Sequence, residues 1–270
     1  MASVVLTESE FKVFQKLIYN EAGIDLNDNK ILLVQSRLLK KLLEYQLGSY
    51  SEYLRLVQIN AKERTEMINL ISTNETYFFR ENEHFVFLDQ LLRREHIHIS
   101  MFRVWSAASS VGAEAYSIAM VLNSVLGADR WEIVGTDINS EVVKKARVGL
   151  YPESWISKIP EKLRRAYCLK GKGAHEGKFL IDRNLVNNLS FHTGNLLEPI
   201  TIYGKFDMIF LRNVLIYFDN DTKQKVVNNV VDNLKVGGYF FISHTENLNM
   251  IDLGPLEQIA TAIYQKKDRR

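Results

Sequence analysis

Two segments contain residue types that are suited to holding a nucleoside. Trp105–Ser117, W-S-A-A-S-S-V-G-A-E-A-Y-S, places small residues in the turn between a β-rich run and a helical one. Small side chains let a ligand approach the backbone closely at a helix N-terminus. Asp137 closes the next β-rich run, where doubly wound folds use an acid to bind ribose hydroxyl groups. Together the two segments indicate a nucleoside-containing ligand.

Each segment also has a purely structural interpretation. The turn can need small residues only for packing, and Asp137 or Asn139 can cap the helix that follows. The turn does not read G-x-G-x-x-G, so nothing supports a nicotinamide dinucleotide. Because no glycine loop is present to cradle a pyrophosphate, an adenosyl group matches better than a dinucleotide.

A third segment, Arg212–Phe218, reads R-N-V-L-I-Y-F and follows the apolar run F-D-M-I-F-L. The carboxyl ends of strands in open α/β sheets face the ligand crevice. We therefore expect Asn213 and Tyr217 where the chemistry occurs. The alternative is an ordinary loop after a strand, with Tyr217 in the core.

A fourth segment, N-E-T-Y-F-F-R, joins polar residues to three consecutive aromatic rings. We expect two packed units to bury the rings and to leave Asn74, Thr76 and Arg80 lining the crevice between them. The alternative is a linker that only packs two domains together.

The histidines and the cysteine do not form a metal-ligand pattern. His96 and His98 form an isolated H-x-H pair with no cysteine or carboxylate at ligand spacing. Cys168 is the only cysteine, so no internal disulfide can form, and no sequence neighbour would activate it. We expect no metal.

The elements that must position these residues change character along the chain. Residues 1–85 contain no proline, and their apolar residues recur at spacings of three and four, which predicts helices. Thr7 and Glu10 form a capping-box pattern. A second helix is predicted from about Asp28 to Leu47. It is expected to bury Ile31, Leu32, Leu38, Leu39, Leu42 and Leu43.

From about Phe102, short β-rich runs alternate with helical stretches, which predicts a parallel sheet with helices on both faces. We expect a helical domain and linker over residues 1–85 and an α/β domain over 86–270. The residues from Cys168 to His192 follow neither the helical nor the strand periodicity of apolar residues. They are interpreted as a small β unit inserted at about 168–193.

Composition excludes several classes of protein. The 270 residues include 34 Lys plus Arg and 32 Asp plus Glu, for a net charge of +2, too even for a surface dedicated to nucleic acid. The start, M-A-S-V-V-L-T-E, has no signal-peptide pattern, and no apolar run approaches the ~18 residues of a membrane span. We expect a soluble cytoplasmic protein without membrane insertion.

Read in order, these segments together with T-D-I-N, N-L-L and H-T-E-N resemble the chemotaxis receptor methyltransferases, the CheR family, over essentially the whole chain. The resemblance implies a small N-terminal helical domain and a Rossmann-like methyltransferase domain with an inserted three-stranded antiparallel β-subdomain. It also implies S-adenosylmethionine as cofactor, S-adenosylhomocysteine as product, and glutamyl methyl esters formed on the cytoplasmic methylation helices of chemoreceptors during chemotactic adaptation. One departure is that the family commonly reads G-E-E-P-Y-S where this chain reads G-A-E-A-Y-S, which keeps Glu114.

The resemblance further implies roles for individual residues. Arg80 and Tyr217 match the pair closest to the transferred methyl group. We expect Arg80 to hold the acceptor carboxylate while the Tyr217 hydroxyl orients it. The residues expected to bind the cofactor are Asn74, Thr76, Arg80, Glu114, Asp137, Asn195, Leu196, Asn213 and Val214.

Partners follow from the same resemblance. The basic strip Lys30, Arg37, Lys40 and Lys41 has no acid between its members, and would face the glutamate-rich receptor helices unless it is merely solvated. The β insert would bind a receptor's C-terminal pentapeptide, and a monomer is expected. Two alternatives stay open: a methyltransferase for nucleic acid or a small molecule, although the D/N-P-P-Y/F motif is missing, and a non-catalytic S-adenosylmethionine sensor.

Overall fold

The computed structural model describes residues 4–94, 100–199 and 203–268. Four helices come first, and a region of alternating strands and helices follows. The helices are α1 Glu8–Ala22, α2 Ile31–Glu44, α3 Tyr50–Ile59, α4 Ala61–Ile71, α5 Glu83–Arg94, α6 Ala113–Leu126, α7 Ser140–Val148, α8 Glu161–Tyr167, α9 Arg183–Val186 and α10 Asn220–Val231.

In the described ranges, ten strands form two sheets. The strands are β1 Phe102–Ala107, β2 Trp131–Asp137, β3 Leu150–Pro152, β4 Cys168–Lys170, β5 Lys178–Ile181, β6 Leu189–Thr193, β7 Phe206–Leu211, β8 Leu234–Phe241, β9 Leu256–Ala260 and β10 Ile263–Lys266.

Three of the first four helices, α1, α3 and α4, begin at side-chain caps, and all four share one apolar core. The predicted capping box is confirmed, because the Thr7 side chain accepts from the Glu10 amide and Glu10 reaches back to the Thr7 amide. Ser49 caps α3 by accepting from the Glu52 amide, and Asn60 caps α4 by accepting from the Lys62 and Glu63 amides. Phe14 is fully buried in this core.

The predicted burial of α2 is wrong for half of its leucines. Leu32, Leu39 and Leu43 are exposed, whereas Val34 and Leu38 are buried. The helix carries more apolar residues than one face can hold, so packing against α1, α3 and α4 selected a single stripe and left the other in solvent.

The basic strip on α2 is not one exposed face, which corrects the expectation for two of its four members. The Lys41 side chain is only 8% exposed, and its ammonium lies 3.3 Å from carboxylate oxygens of both Glu44 and Glu63. The Arg37 guanidinium donates to the Ile71 and Ser72 carbonyls and to the Thr73 hydroxyl. Lys30 and Lys40 remain exposed.

The larger sheet has the strand order β6-β2-β1-β7-β8-β10-β9. Its first five strands pair in parallel, and β10 pairs antiparallel with both β8 and β9. The chain passes from β1 to β2 on one side, whereas β7 lies on the other side of β1, so the strand order reverses between β1 and β7. Ligands bind in open α/β sheets at such a reversal, beyond the carboxyl ends of the strands.

A separate three-stranded antiparallel sheet has the order β3-β5-β4. The predicted fold class, a helical domain plus an α/β domain with a small antiparallel sheet, is therefore confirmed. The small sheet runs from Leu150 to Ile181, and Leu189–Thr193 pairs with β2 in the larger sheet. The extent of the small sheet thus differs from the insert expected at 168–193. The division of the chain at residue 85 stays a prediction. No helix in the described ranges is both long enough and apolar enough to cross a membrane.

Candidate active site

A cavity of about 380 Å³ lies beyond the carboxyl ends of β1, β2 and β7, where the first helices cover the sheet. This volume lies within the usual range of small-ligand pockets, roughly 300–1,000 Å³. Every site residue expected from the sequence lines it. They are Asn74, Thr76, Arg80, Glu114, Asp137, Asn195, Leu196, Asn213, Val214 and Tyr217.

The turn after β1 brings backbone to the cavity wall. Ala108 and Ser110 both adopt left-handed conformations, with φ of +62° and +51°. Gly112 has φ +87°, and a Cβ there would meet Phe191 and Ala146 at 3.0 Å. Small residues are therefore required for packing, as the structural interpretation holds, and the turn borders the cavity as well.

Asp137 is a buried carboxylate beside this turn. Its Oδ2 accepts from the Ser110 amide at 2.8 Å and its Oδ1 from the Asn139 amide at 2.9 Å. Burial raises the pKa of Asp137, and these two bonds act against that rise. A carboxylate has about four acceptor positions, so two remain for hydroxyl groups of a ligand. The helix cap is Asn139, whose side chain accepts from the Glu141 and Val142 amides.

Glu114 and Arg212 form a buried ion pair on the floor of the cavity. The guanidinium lies 2.9 Å from Glu114 Oε2 and 3.1 Å from Glu81 Oε2, and it also donates to the Arg80 carbonyl. The other oxygen of Glu114 accepts from the Ser106 hydroxyl at 2.7 Å. Burial raises the pKa of Glu114, whereas the Arg212 charge lowers it.

Glu81 connects the linker to the end of β8. Its carboxylate accepts from the Ser243 hydroxyl at 2.6 Å and from the His244 amide at 3.1 Å. Burial acts to raise the pKa of Glu81, but the Ser243 bond and the Arg212 charge outweigh it and lower the pKa to about 2. Glu81 is therefore ionised at neutral pH.

Asn213 follows β7 in a left-handed conformation, with φ +59°. The Glu246 carboxylate holds this loop by accepting from the amides of Asn213 at 3.0 Å, Leu215 at 2.8 Å and Ser243 at 2.8 Å. The Asn213 side chain donates to the Ser243 hydroxyl at 2.7 Å. These bonds hold the loop that carries Asn213, Val214 and Tyr217 at the cavity.

The aromatic linker is divided between core and cavity. Phe78 is fully buried against Tyr151 and Phe179 of the small sheet, and Phe79 is nearly so. Tyr77 is 37% exposed, so the prediction that all three rings are buried is wrong. The Arg80 guanidinium donates to the Glu75 carbonyl at 2.9 Å, and no carboxylate among the described residues pairs with it.

Tyr217 lies in a short 3-10 turn, half-buried at the cavity wall. Within the described ranges its hydroxyl makes no hydrogen bond. Tyr217 also interacts electrostatically with Arg37: burial lowers the pKa of that guanidinium, and the interaction with Tyr217 acts in the opposite direction. The Tyr217 carbonyl accepts from the Asp25 amide at 2.8 Å, which ties this turn to the helical unit.

Asn195 and Leu196 line the cavity wall, and hydrogen bonds to α1 and α10 hold them there. The Asn195 side chain donates to the Glu21 carbonyl at 2.8 Å and accepts from the Leu197 amide at 3.1 Å. The Leu196 carbonyl accepts from the Asn229 side chain at 3.0 Å. Asn195 therefore also joins the sheet domain to α1.

The polar and apolar side chains that line the cavity fit an adenosyl-sulfonium ligand. Asp137 can accept hydroxyl groups, and the carboxylate of Glu114 faces the cavity where an ammonium group can bind. Two buried polar atoms at the cavity residues, Ser109 Oγ and Arg212 Nε, have no partner among the described residues. Apolar side chains such as Leu196 and Ile138 supply a surface for a base.

Sequence reasoning missed several residues of this site. Arg212 is one of them, although a charged residue directly after a buried strand is itself a signal. Ile24, just after α1, and Leu33 of α2 carry no local signal, because they reach the site through packing of the helical unit against the sheet domain. Glu81 directly follows Arg80 and contributes through its contact with Arg212.

The expectation of no metal stays a prediction. His96 and His98 lie outside the described residues. Within the described ranges, Glu81, His84 and His244 place ligand atoms within 4.8 Å of one another. Glu81 is already bonded to Arg212, Ser243 and the His244 amide, so this group has a structural explanation.

Comparison with known families gives two matches that follow one another along the chain. Residues 9–72 match the family described as "CheR methyltransferase, all-alpha domain". Residues 74–262 match "CheR methyltransferase, SAM binding domain".

Curated relatives match over most of their own length. The chemotaxis protein methyltransferase of Escherichia coli is 40% identical over 92% of this chain and 88% of its own length. Chemotaxis protein methyltransferase 2 of Pseudomonas aeruginosa is 38% identical, covering 89% and 87%. That of Borreliella burgdorferi is 35% identical, covering 98% and 96%.

Similarity to solved structures is more distant. The magnesium protoporphyrin IX methyltransferase of Synechocystis with bound S-adenosylmethionine is 13% identical, with a TM-score of 0.35, covering 68% of this chain and 62% of that one. A match this weak supports no argument about the site.

Proposed function

The chain belongs to the CheR methyltransferase family, and from this premise we propose how it methylates glutamate carboxylates of chemoreceptors. It is an S-adenosylmethionine-dependent methyltransferase of chemotaxis, and receptor glutamate is the acceptor that the family implies. The observation that supports the proposal most is the convergence of all ten expected site residues on one cavity.

The reaction requires little acid–base machinery. A glutamate with a pKa of about 4.3 is almost fully ionised at pH 7, so the nucleophile needs no general base. The bound sulfonium supplies an activated methyl group and a neutral leaving group. The protein therefore has to bind, exclude water and align the acceptor oxygen, and orientation of this kind can lower a barrier by several kcal/mol.

We assign the cofactor contacts by the chemistry of each side chain. Asp137 would accept the ribose hydroxyls, and Glu114, held by Arg212 and Ser106, would bind the ammonium of the methionine portion. The remaining cofactor-binding residues, Asn74, Thr76, Arg80, Asn195, Leu196, Asn213 and Val214, would enclose the ligand.

We assign the acceptor to Arg80 and Tyr217. Arg80 keeps N–H groups that no described carboxylate occupies, and the Tyr217 hydroxyl is free to donate. Tight pairing with Arg80 would make the carboxylate less nucleophilic, so its contribution is to position the oxygen rather than to neutralise it.

The first experiment transfers a labelled methyl group from S-adenosylmethionine to receptor cytoplasmic fragments and then applies mild alkali. Release of the label as volatile methanol is expected, because alkali hydrolyses a carboxyl methyl ester. Tight cofactor binding without transfer to any receptor fragment would instead favour the sensor alternative.

The residue assignment is tested with Arg80→Ala and Tyr217→Phe. Each is expected to lower kcat at least tenfold, which is about 1.4 kcal/mol of barrier. Tyr217→Phe should leave the Kd for S-adenosylmethionine close to that of the wild type. Wild-type turnover in both variants, with the cofactor bound normally, would contradict the assignment.

We propose that receptor docking uses Lys30 and Lys40 of the basic strip, the two members that remain exposed. Reversing both charges should slow methylation at low salt and flatten its dependence on ionic strength, because exposed charges mainly steer association. Reversal of the exposed Lys16 on α1 serves as the control. Equal rates for both reversals at low salt would reject this docking surface.

We propose the small sheet as the site for a receptor's C-terminal pentapeptide. A second cavity beside β4 and β5 is lined by Arg147, Lys170, Lys172 and Arg183, cations that suit a terminal carboxylate. As an edge strand, β4 can also pair with an extended peptide. Calorimetry with the peptide should give heat of binding that Lys172→Glu reduces. No heat with protein that binds the cofactor would argue against tethering.

A further inference from the structure

The mouth of the cavity carries two cations on one aromatic ring. The Arg80 Cζ lies 5.8 Å and the Lys158 Nζ lies 5.4 Å from the centroid of the Tyr77 ring. Tyr77 lines the cavity and is partly exposed, so its ring marks the boundary between the cavity and solvent. Lys158 was not among the residues expected from the sequence.

The elements that carry these groups are held firmly. Lys158 ends the short 3-10 helix Glu153–Lys158, which follows β3. In that helix Trp155 stacks on Tyr151 at 5.9 Å, and Tyr151 packs edge-on against Phe78 at 4.9 Å. Phe78 is the chain neighbour of Tyr77. The same buried aromatic cluster therefore positions both Tyr77 and the helix that carries Lys158.

Neither cation is neutralised within the described ranges. Arg80 and Lys158 form no ion pair there, in contrast to Arg212, which is paired with Glu114 and Glu81. Lys158 is exposed. A ring face attracts a cation without removing its charge, so both groups remain able to bind carboxylates.

We propose that Lys158 is a specificity residue that binds an acidic side chain about one helical turn from the glutamate held at Arg80. Residues three and four apart on a helix are neighbours, with Cβ atoms about 5–6 Å apart. Two cations over one ring match two carboxylates on one face of such a helix. This inference rests on the proposed function and adds the sequence preference of the acceptor.

The test compares Lys158→Ala with Lys162→Ala, a matched exposed lysine on α8. Acceptors are a receptor fragment and variants in which the acids three and four residues from the methylated glutamate are replaced by glutamine. Lys158→Ala is expected to raise the KM for the unchanged fragment about tenfold, with kcat and the Kd for S-adenosylmethionine unchanged. Lys162→Ala is expected to behave as the wild type.

The decisive comparison uses the enzyme and acceptor changes together. If Lys158 binds the neighbouring acid, the glutamine acceptor raises the KM of the wild type, but barely changes the KM of Lys158→Ala. Effects that multiply independently would overturn the inference, as would an unchanged KM in Lys158→Ala. In those cases ester formation by the wild type would leave the proposed function intact, whereas no ester with any receptor fragment would overturn both.

Discussion

At the scale of single residues, the site depends on one buried guanidinium. Arg212 is 5% exposed and joins Glu114 of α6, Glu81 of the linker and the Arg80 carbonyl. Removing one partner of a buried pair costs several kcal/mol, because the remaining charge stays buried without compensation. We therefore place Arg212 among the residues that position the site, and a neutral residue there would disturb cofactor and acceptor residues together.

His84 provides a prediction at the same scale. It is 1% exposed, and both ring nitrogens lack hydrogen-bond partners among the described residues. Burial, together with the charges of Arg212 and His244, lowers the pKa of His84 to about 3. In the unfolded chain His84 has a pKa near 6.5, so between pH 6.5 and 3 it binds a proton that it does not bind in the folded protein. The contribution of His84 to the free energy of unfolding is therefore fully present above pH 6.5 and is lost as the pH drops toward 3.

The measurement is urea unfolding at pH 7 and 5.5. The wild type should lose about 1 kcal/mol from His84 over this interval, and His84→Leu should lose correspondingly less. The exposed His175→Gln variant is the control and should keep the wild-type dependence. The same pH dependence in His84→Leu and the wild type would contradict the buried neutral imidazole.

At the scale of elements, the loop after β7 has no regular structure to satisfy its amides, so a side chain does this. Glu246 accepts three backbone N–H groups from Asn213, Leu215 and Ser243. Asn213 suits its left-handed conformation because a short polar side chain tolerates positive φ better than a bulky one. The segment with the acceptor tyrosine is thus shaped by a residue 29 positions after Tyr217.

Replacing Glu246 tests this role. Glu246→Ala leaves two buried amides and one partly buried amide without their acceptor and should lower the free energy of unfolding by about 3 kcal/mol. Glu246→Gln keeps one acceptor oxygen and should lose less. Denaturant unfolding and the Kd for S-adenosylmethionine report both effects. Wild-type stability in the alanine variant would show that the loop is held by other contacts.

At the scale of the whole molecule, the cavity belongs to neither unit alone. Tyr19 of α1 donates to Asp219 at 2.8 Å, and Asn195 donates to the Glu21 carbonyl. On the other side, Asn69 of α4 bonds to Ser140 at the start of α7, close to Asp137. The helical unit therefore forms one wall of the site.

Loosening this contact should weaken cofactor binding. Asn69→Ala removes two bonds of 3.0 Å to Ser140, a loss of about 1 kcal/mol and a several-fold rise in the Kd for S-adenosylmethionine. Thr65→Ala, on the exposed side of the same helix, is the matched control. Titration calorimetry measures both variants. Equal Kd values for the two would indicate that the helical wall does not contribute to binding.

The sequence by itself determined the architecture and predicted ten of the residues that line the cavity. Alternating β and α periods predicted the parallel sheet, and short motifs at strand ends predicted Asp137, Asn213 and Tyr217 at its carboxyl edge. This succeeds because strand direction and the turns that follow strands are local properties, and parallel strands bring their ends to one edge.

Only the tertiary structure decided which charged side chains are buried in ion pairs or hydrogen bonds and which remain exposed. Lys41 is buried against Glu63, Arg37 binds the carbonyls that precede the linker, and Tyr77 stays at the surface between Arg80 and Lys158. These outcomes depend on how α2, the linker and the small sheet pack. Contacts between segments far apart in the chain leave no trace in local residue periodicity, and so the division of a basic strip into buried and exposed members was decided by folding.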